Sequence, residues 1–220
     1  MTYLLKSLEK GCRRDKAIML ELEKRGILNT EQIRLLFFQG IKNDRRVCQG
    51  RLKKLTDRKR IKRTRAEFNE PYAYYLEKKP KQINHTLGVN WIYVWILKNL
   101  QSWEEMYHWE YEVDYELLRC DAFCGIKNNI TGKVRFMFIE MDIYESGNAF
   151  DKVAKYNALY STDRYLGYWW NEVAEKFPEV LVVTTGDPER IYRKVEKENV
   201  ANLAFRVFVL DRIKKECDSK

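Results

Sequence analysis

The sequence predicts an α/β chain of the α+β kind, divided into two domains. Three observations carry that expectation. With 220 residues the chain has room for two small cores, and 45% hydrophobic and 14% aromatic residues supply the apolar surface for them, which excludes wholesale disorder. Apolar residues recur at helical spacing as far as Leu55. Beyond Leu100, short apolar runs and a turn-like loop give a strand-rich order instead. No run approaches the roughly 18 apolar residues of a membrane span, and no signal-peptide h-region opens the chain. Five scattered cysteines make no disulfide framework. A soluble, cytoplasmic protein with no membrane partner is expected.

The charge is concentrated. The formal net charge is +9, yet Lys42 to Arg65 alone holds twelve basic residues against Asp44 and Asp57, a net of +10. Such a local field attracts a polyanion, and nucleic acid is the expected one.

The elements of the first domain follow in order. Arg13 to Arg25 places Ile18, Met19 and Leu22 on one helical face and ends at Gly26, a residue suited to a helix C-terminus. Asn29 or Thr30 caps a second helix with Ile33, Leu36 and Phe37 on its apolar side, stopped by Gly40. Asn43 or Asp44 caps a third, with Val47 or Cys48, Leu52 and Leu55 as its buried stripe. Two extended runs, Ile61 to Phe68 and Tyr72 to Leu76, join through Asn69-Glu70-Pro71 as a hairpin. Three short helices and a β-hairpin form the order of a winged helix-turn-helix, here assigned to residues 1–79. Its third helix would enter the major groove of double-stranded DNA while the hairpin lies on phosphates. The expected DNA-binding residues are Arg45, Arg46, Gln49, Arg51, Lys53, Lys54, Arg58, Arg60, Lys62, Arg63 and Arg65. Arg45, Arg46, Gln49 and Arg51 are the candidates for base edges, because Arg and Gln bond bidentately to guanine and adenine. A-form RNA closes its major groove to a helix, so duplex DNA is favoured.

The polar stretch Lys78 to Asn84, with Pro80, marks the boundary of a second domain over residues 80–220. Thr86 to Leu100 is a helix whose Trp91 and Trp95, four apart, read as packing residues. Two histidines and no C-x-x-C pair argue against structural zinc. Strands follow within Glu110 to Glu116, at Arg119 to Ile126 and at Val134 to Asp142; then a helix from Asn148 to Tyr160, a strand from Val180 to Thr185, a helix from Pro188 to Glu198 and a strand from Ala204 to Leu210. The sheet should be mixed, since a hairpin is antiparallel and a helical crossover favours parallel pairing.

A four-residue loop from Asn129 to Gly132 fixes the hairpin register and sets Asp121 opposite Glu140, with Asp142 on the same face. Carboxylates about 5 Å apart in a sheet repel unless a cation joins them. Oxygen ligands suit Mg2+ or Mn2+, so Asp121, Glu140 and Asp142 are the expected metal ligands. Lys152 and Lys155 on the next helix complete a candidate catalytic set of Asp121, Glu140, Asp142, Lys152 and Lys155, the composition needed for phosphodiester hydrolysis. The alternative is that these acids sit at a frayed strand end in solvent, or pair with Arg119 and Arg135.

These residues carry a resemblance. A winged helix followed by a helix, the pattern D-x(18)-E-x-D of Asp121, Glu140 and Asp142, His85 with Gly88-Val89-Asn90, and Lys155 with Tyr156 resemble the replication-relaxation family of plasmids and mobile elements. The second domain also looks like the PD-(D/E)XK, restriction-endonuclease-like fold. That resemblance implies metal acids at Asp121 and Glu140, with Glu110 as a further acid. The sequence departs from it at Asp142, where the fold expects lysine; Lys152 or Lys155 would then substitute from the helix. The expected function is a DNA-binding protein of plasmid replication or transfer whose winged helix targets a metal-dependent endonuclease or nickase. The alternative is a non-catalytic regulator or accessory factor with a vestigial nuclease fold. A homodimer and replication or transfer proteins are the further partners this reading admits, although no coiled-coil heptad marks a dimer.

Overall fold

The structure, a computed structural model, describes residues 2–65, 67–144 and 149–219. The chain forms two compact units, residues 1–94 and 95–220. It is a mixed α/β chain, with a small sheet in the first unit and a five-stranded mixed sheet in the second.

The first unit opens with α1 (Thr2–Arg25), longer than its expected start at Arg13. Gly11 does not interrupt it, and the Arg51 guanidinium lies alongside, 3.4 Å from where a Cβ would stand, an ordinary contact distance. Gly26, with φ +72°, ends α1. β1 (Leu28–Asn29) leads into α2 (Thr30–Phe37). Asn29 accepts from the Gln32 backbone N–H while the Gln32 side chain accepts from that of Asn29, a closed capping box. α2 buries Ile33 and Leu35, and Phe38 is buried just after it, while Leu36 and Phe37 are only partly covered, so its apolar face is turned relative to expectation. α3 (Asp44–Asp57) buries Cys48, Leu52 and Leu55, while Val47 is exposed. β2 (Lys62–Thr64) and β3 (Ala73–Tyr75) are shorter than the two expected runs; Ala66, within the first run, lies outside the described residues. The antiparallel order is β1-β3-β2, and Ile18, Leu22, Ile33, Phe38, Leu52 and Tyr74 fill the core beneath it.

The units divide between Val94 and Trp95, inside α4 (Ile83–Asn99), and not near Pro80. The reason is hydrogen bonding. Gln32 donates to the Leu87 carbonyl at 2.8 Å, and the buried Asn90 amide donates to the carbonyls of Arg25 and Ile27 at 3.2 and 2.6 Å. The beginning of α4 therefore belongs to the first core. Trp91 is buried there; in the second unit, Trp95 donates to Glu216 at 2.9 Å and packs on Phe208.

In the second unit β4 (Glu104–Asp114), β5 (Arg119–Asn128) and β6 (Val134–Asp142) form an antiparallel meander, and β7 (Glu179–Thr184) and β8 (Phe205–Val209) extend it in parallel, giving the order β4-β5-β6-β7-β8. Ala122 faces Ile139 and Lys127 faces Val134, the register that a 129–132 loop imposes. α5 (Val153–Ser161) and α6 (Pro188–Glu198) supply the crossover helices, and α7 (Leu210–Ser219), absent from the sequence expectation, closes the chain. α5 begins later than expected; Asn148 lies outside the described residues. The aromatic stretch before β7 makes two 3-10 turns, Arg164–Gly167 and Trp169–Glu172, and buries Trp170 against Phe123, Phe138 and Tyr165. Among the described residues, no helix is long and apolar enough to cross a membrane.

Candidate functional site

Two places in the structure collect the expected functional residues, one in each unit. In the first, α3 and the β2–β3 hairpin flank a cleft of about 620 Å3. Arg45, Gln49 and Lys53 line it from α3, each one helical turn beyond the last; Arg63 and Arg65 line it from the hairpin. All eleven expected DNA-binding residues except Arg51 are exposed.

Arg51 is a correction. Its guanidinium grips both carboxylate oxygens of Asp15 on α1, so it ties α3 to α1 and does not join the outward face. Asp15, on the face of α1 one turn beyond Gly11, is the signal that sequence reading passed over. Further contacts hold the charged side chains in and around the cleft. Arg45 reaches Glu31 at 3.1 Å, and Glu31 in turn holds Arg34 at 2.8 Å. Lys62 donates to the Glu77 carbonyl at 2.9 Å. The guanidinium groups of Arg63 and Arg65 stand over the Tyr72 ring, 4.4 and 3.8 Å from its centroid.

The second place is the end of the β5–β6 hairpin. Glu140 is almost fully buried, and both its oxygens accept hydrogen bonds: Oε2 from the Lys152 ammonium at 2.6 Å, Oε1 from the Tyr156 hydroxyl at 2.6 Å. The same ammonium donates to the Arg119 carbonyl at 2.7 Å and lies 3.9 Å from Asp121 Oδ1, while Asp121 Oδ2 accepts from the Met141 backbone N–H at 2.7 Å. Burial, and after it the charge of Asp121, raises the Glu140 carboxyl to about 8, with Lys152 and Tyr156 acting in the opposite direction. Burial works against the Lys152 charge, but the charges of Glu140 and Asp121 outweigh it and raise that amine. Burial likewise raises the Tyr156 phenol, which keeps its proton and donates.

The cation that lies beside these two acids is the Lys152 ammonium. The alternative pairing is not what forms: Arg119 bonds Glu112, and Arg135 bonds Glu104. Asp142 belongs to a different set of contacts. It accepts from the Phe150 backbone N–H at 2.7 Å, the Thr184 hydroxyl at 2.6 Å and the Arg190 guanidinium at 2.5 Å. Its role is to fasten the chain after β6 to β7 and α6. Lys155 is exposed on α5 and acts electrostatically on Asp151, away from the acids. Glu110 is bonded to His108 at 3.2 Å. Among the described residues, no group of three or more Asp, Glu, His or Cys gathers to hold a metal ion. The donor set does not fit Mg2+ or Mn2+ as arranged, because the Lys152 ammonium stands between the two acids that would share the ion.

Tyr156 is the site residue that sequence reading missed as a partner of Glu140. Its signal was the i,i+4 spacing from Lys152, which puts both on one turn-to-turn face. Arg190 and Thr184 carried no comparable signal, since their link to Asp142 spans more than forty residues. Asp142→Ala strands a buried backbone N–H and a hydroxyl and leaves Arg190 without its carboxylate. Urea denaturation should show a loss of about 2 kcal/mol in the second unit; an unchanged midpoint would refute this anchoring role.

Comparison with known proteins returned no matching family model, no matching curated protein and no matching solved structure.

Proposed function

We propose that this chain is a duplex-DNA-binding protein, with a winged helix-turn-helix in its first unit and a PD-(D/E)XK-like scaffold in its second that serves replication or transfer of a plasmid or other mobile element without cutting DNA. The carrying observation is the single cleft into which α3 and the hairpin both direct exposed cationic side chains. The buried stripe of Cys48, Leu52 and Leu55 turns Arg46, Gln49 and Lys53 outward, where base edges and phosphates would lie. A solvated helix needs no second basic wall facing it; a charged backbone does.

The absence of cutting is supported by Lys152, whose ammonium already occupies the space between Asp121 and Glu140. A metal-dependent endonuclease or nickase is the second reading, favoured by the same trio, because two acids beside a lysine are the residue types that chemistry uses. Two measurements decide. Fluorescence anisotropy should show duplex DNA binding that weakens steeply with salt; no binding at any salt refutes the first half. Supercoiled plasmid incubated with Mn2+ should stay intact. Nicked or linear product that Glu140→Ala abolishes establishes the second reading instead.

A further inference from the structure

The hairpin wall of the cleft carries chemistry that phosphate does not need. Phe68 is 87% exposed and lines the cleft among its cations, so its ring is open to a ligand there. It occupies the second position of a tight turn that the Glu70 N–H closes on the Glu67 carbonyl at 3.1 Å. Arg65 holds that turn by donating to the Phe68 carbonyl at 3.0 Å, and its guanidinium lies 5.9 Å from the ring centroid. The same cleft is lined by Asn69 and Glu70 from the hairpin and by Gln49 and Glu31 from the helical side. Carboxylates repel a phosphate backbone; Glu31 is answered by Arg34 and Arg45, but a cleft meant only for phosphates is poorly served by Glu70. Carboxylates and amides do accept hydrogen bonds from the amino groups of bases. Cations, an open aromatic face and edge acceptors in a cavity of about 620 Å3 together match a nucleotide with an unpaired base: phosphate on arginine or lysine, ring on ring, base edge on amide or carboxylate.

We infer that the cleft takes one unpaired nucleotide, its base stacked on Phe68, so that the chain prefers duplexes bearing an overhang or a bulge to continuous duplex. The inference rests on the DNA-binding reading and adds the class of DNA. Base–aromatic stacking changes affinity by about 5- to 150-fold per base on alanine substitution. The test compares a short blunt duplex with the same duplex carrying a 3′ overhang, a 5′ overhang or a single-base bulge, with 2-aminopurine as the unpaired base. At least one of the three should bind about 10-fold more tightly than the blunt duplex, and its 2-aminopurine emission should fall on binding. Phe68→Ala should bring the affinity ratio to about 1 and restore the emission, whereas Phe68→Trp should keep both the preference and the quenching. Equal affinity for all four DNAs, or a preference that survives Phe68→Ala, overturns the inference and leaves DNA binding standing. A protein that binds none of them overturns the DNA-binding reading itself, and this inference with it.

Discussion

Lys152→Met is expected to lower the stability of the second unit by about 3 kcal/mol at pH 9 and by less than about 1 kcal/mol at pH 5. Glu140 is buried with both oxygens engaged, and Lys152 is its one ammonium partner among the hydrogen bonds it accepts. Methionine keeps most of the packing volume of lysine and removes the charge. The remaining carboxylate then either stays ionised in a low-dielectric setting or takes up a proton, and the sign of the pH effect follows from that choice. A carboxyl whose folded pKa is raised above its ordinary value of 4.5 is most favourable to folding below 4.5, where it is protonated in both states. That advantage is lost as pH rises through the folded value, which is about 8 in the intact protein and higher once Lys152 is gone. At pH 9 the intact protein has an ion pair and the variant has none. At pH 5 the variant escapes by protonation at little cost. Urea denaturation followed by tryptophan emission at the two pH values tests this, since Trp170 lies fully buried in the same core. A destabilisation equal at both pH values would mean that lost packing, and not an unpaired Glu140, is responsible. Glu140→Gln in the Lys152→Met background should recover stability at pH 9 in particular, because the amide has no charge to strand.

What the sequence made legible follows from how local each determinant is. The β5–β6 register was readable because a four-residue loop leaves one pairing, and that pairing alone places Asp121 against Glu140. α3 was readable because its apolar stripe has helical period and its polar face is mostly basic. The start of α1 was not, because the apolar residues at helical spacing that mark this helix begin only at Ile18, well after its first turns. The attachment of α4 was hidden for a similar reason: Pro80 marks a local change of direction, whereas Asn90 returns α4 to the end of α1 through two carbonyls. The acid cluster shows the same division. Local alternation put Glu140 and Asp142 on one face, but their separate fates depend on Tyr156, Thr184 and Arg190, which only the folded sheet brings near. A pattern of acids in a strand specifies where negative charge will gather; it does not specify whether a metal or an ammonium answers it.

Replacing Arg63 and Arg65 together by alanine is expected to weaken duplex DNA binding by about 100-fold near physiological salt and to reduce the slope of log affinity against log salt by about 2. Each guanidinium that meets a phosphate contributes a charge-assisted hydrogen bond worth about 1.5 kcal/mol or more and releases about one counterion. These two arginines should give the full value because stacking on Tyr72 already restricts them, so little side-chain freedom remains to be lost on binding. Arg51→Ala provides the contrast within the same basic segment. Its guanidinium is committed to Asp15, so that variant should lose stability while its salt slope stays unchanged. Anisotropy titrations of all three proteins across a salt series, with urea denaturation alongside, separate a charge that meets phosphate from a charge that holds a helix. If the Arg63, Arg65 variant keeps the original slope, the hairpin does not touch the backbone, and phosphate contact must come from α3 alone, through Arg46, Lys53 and Lys54, whose exposed side chains leave them able to supply it.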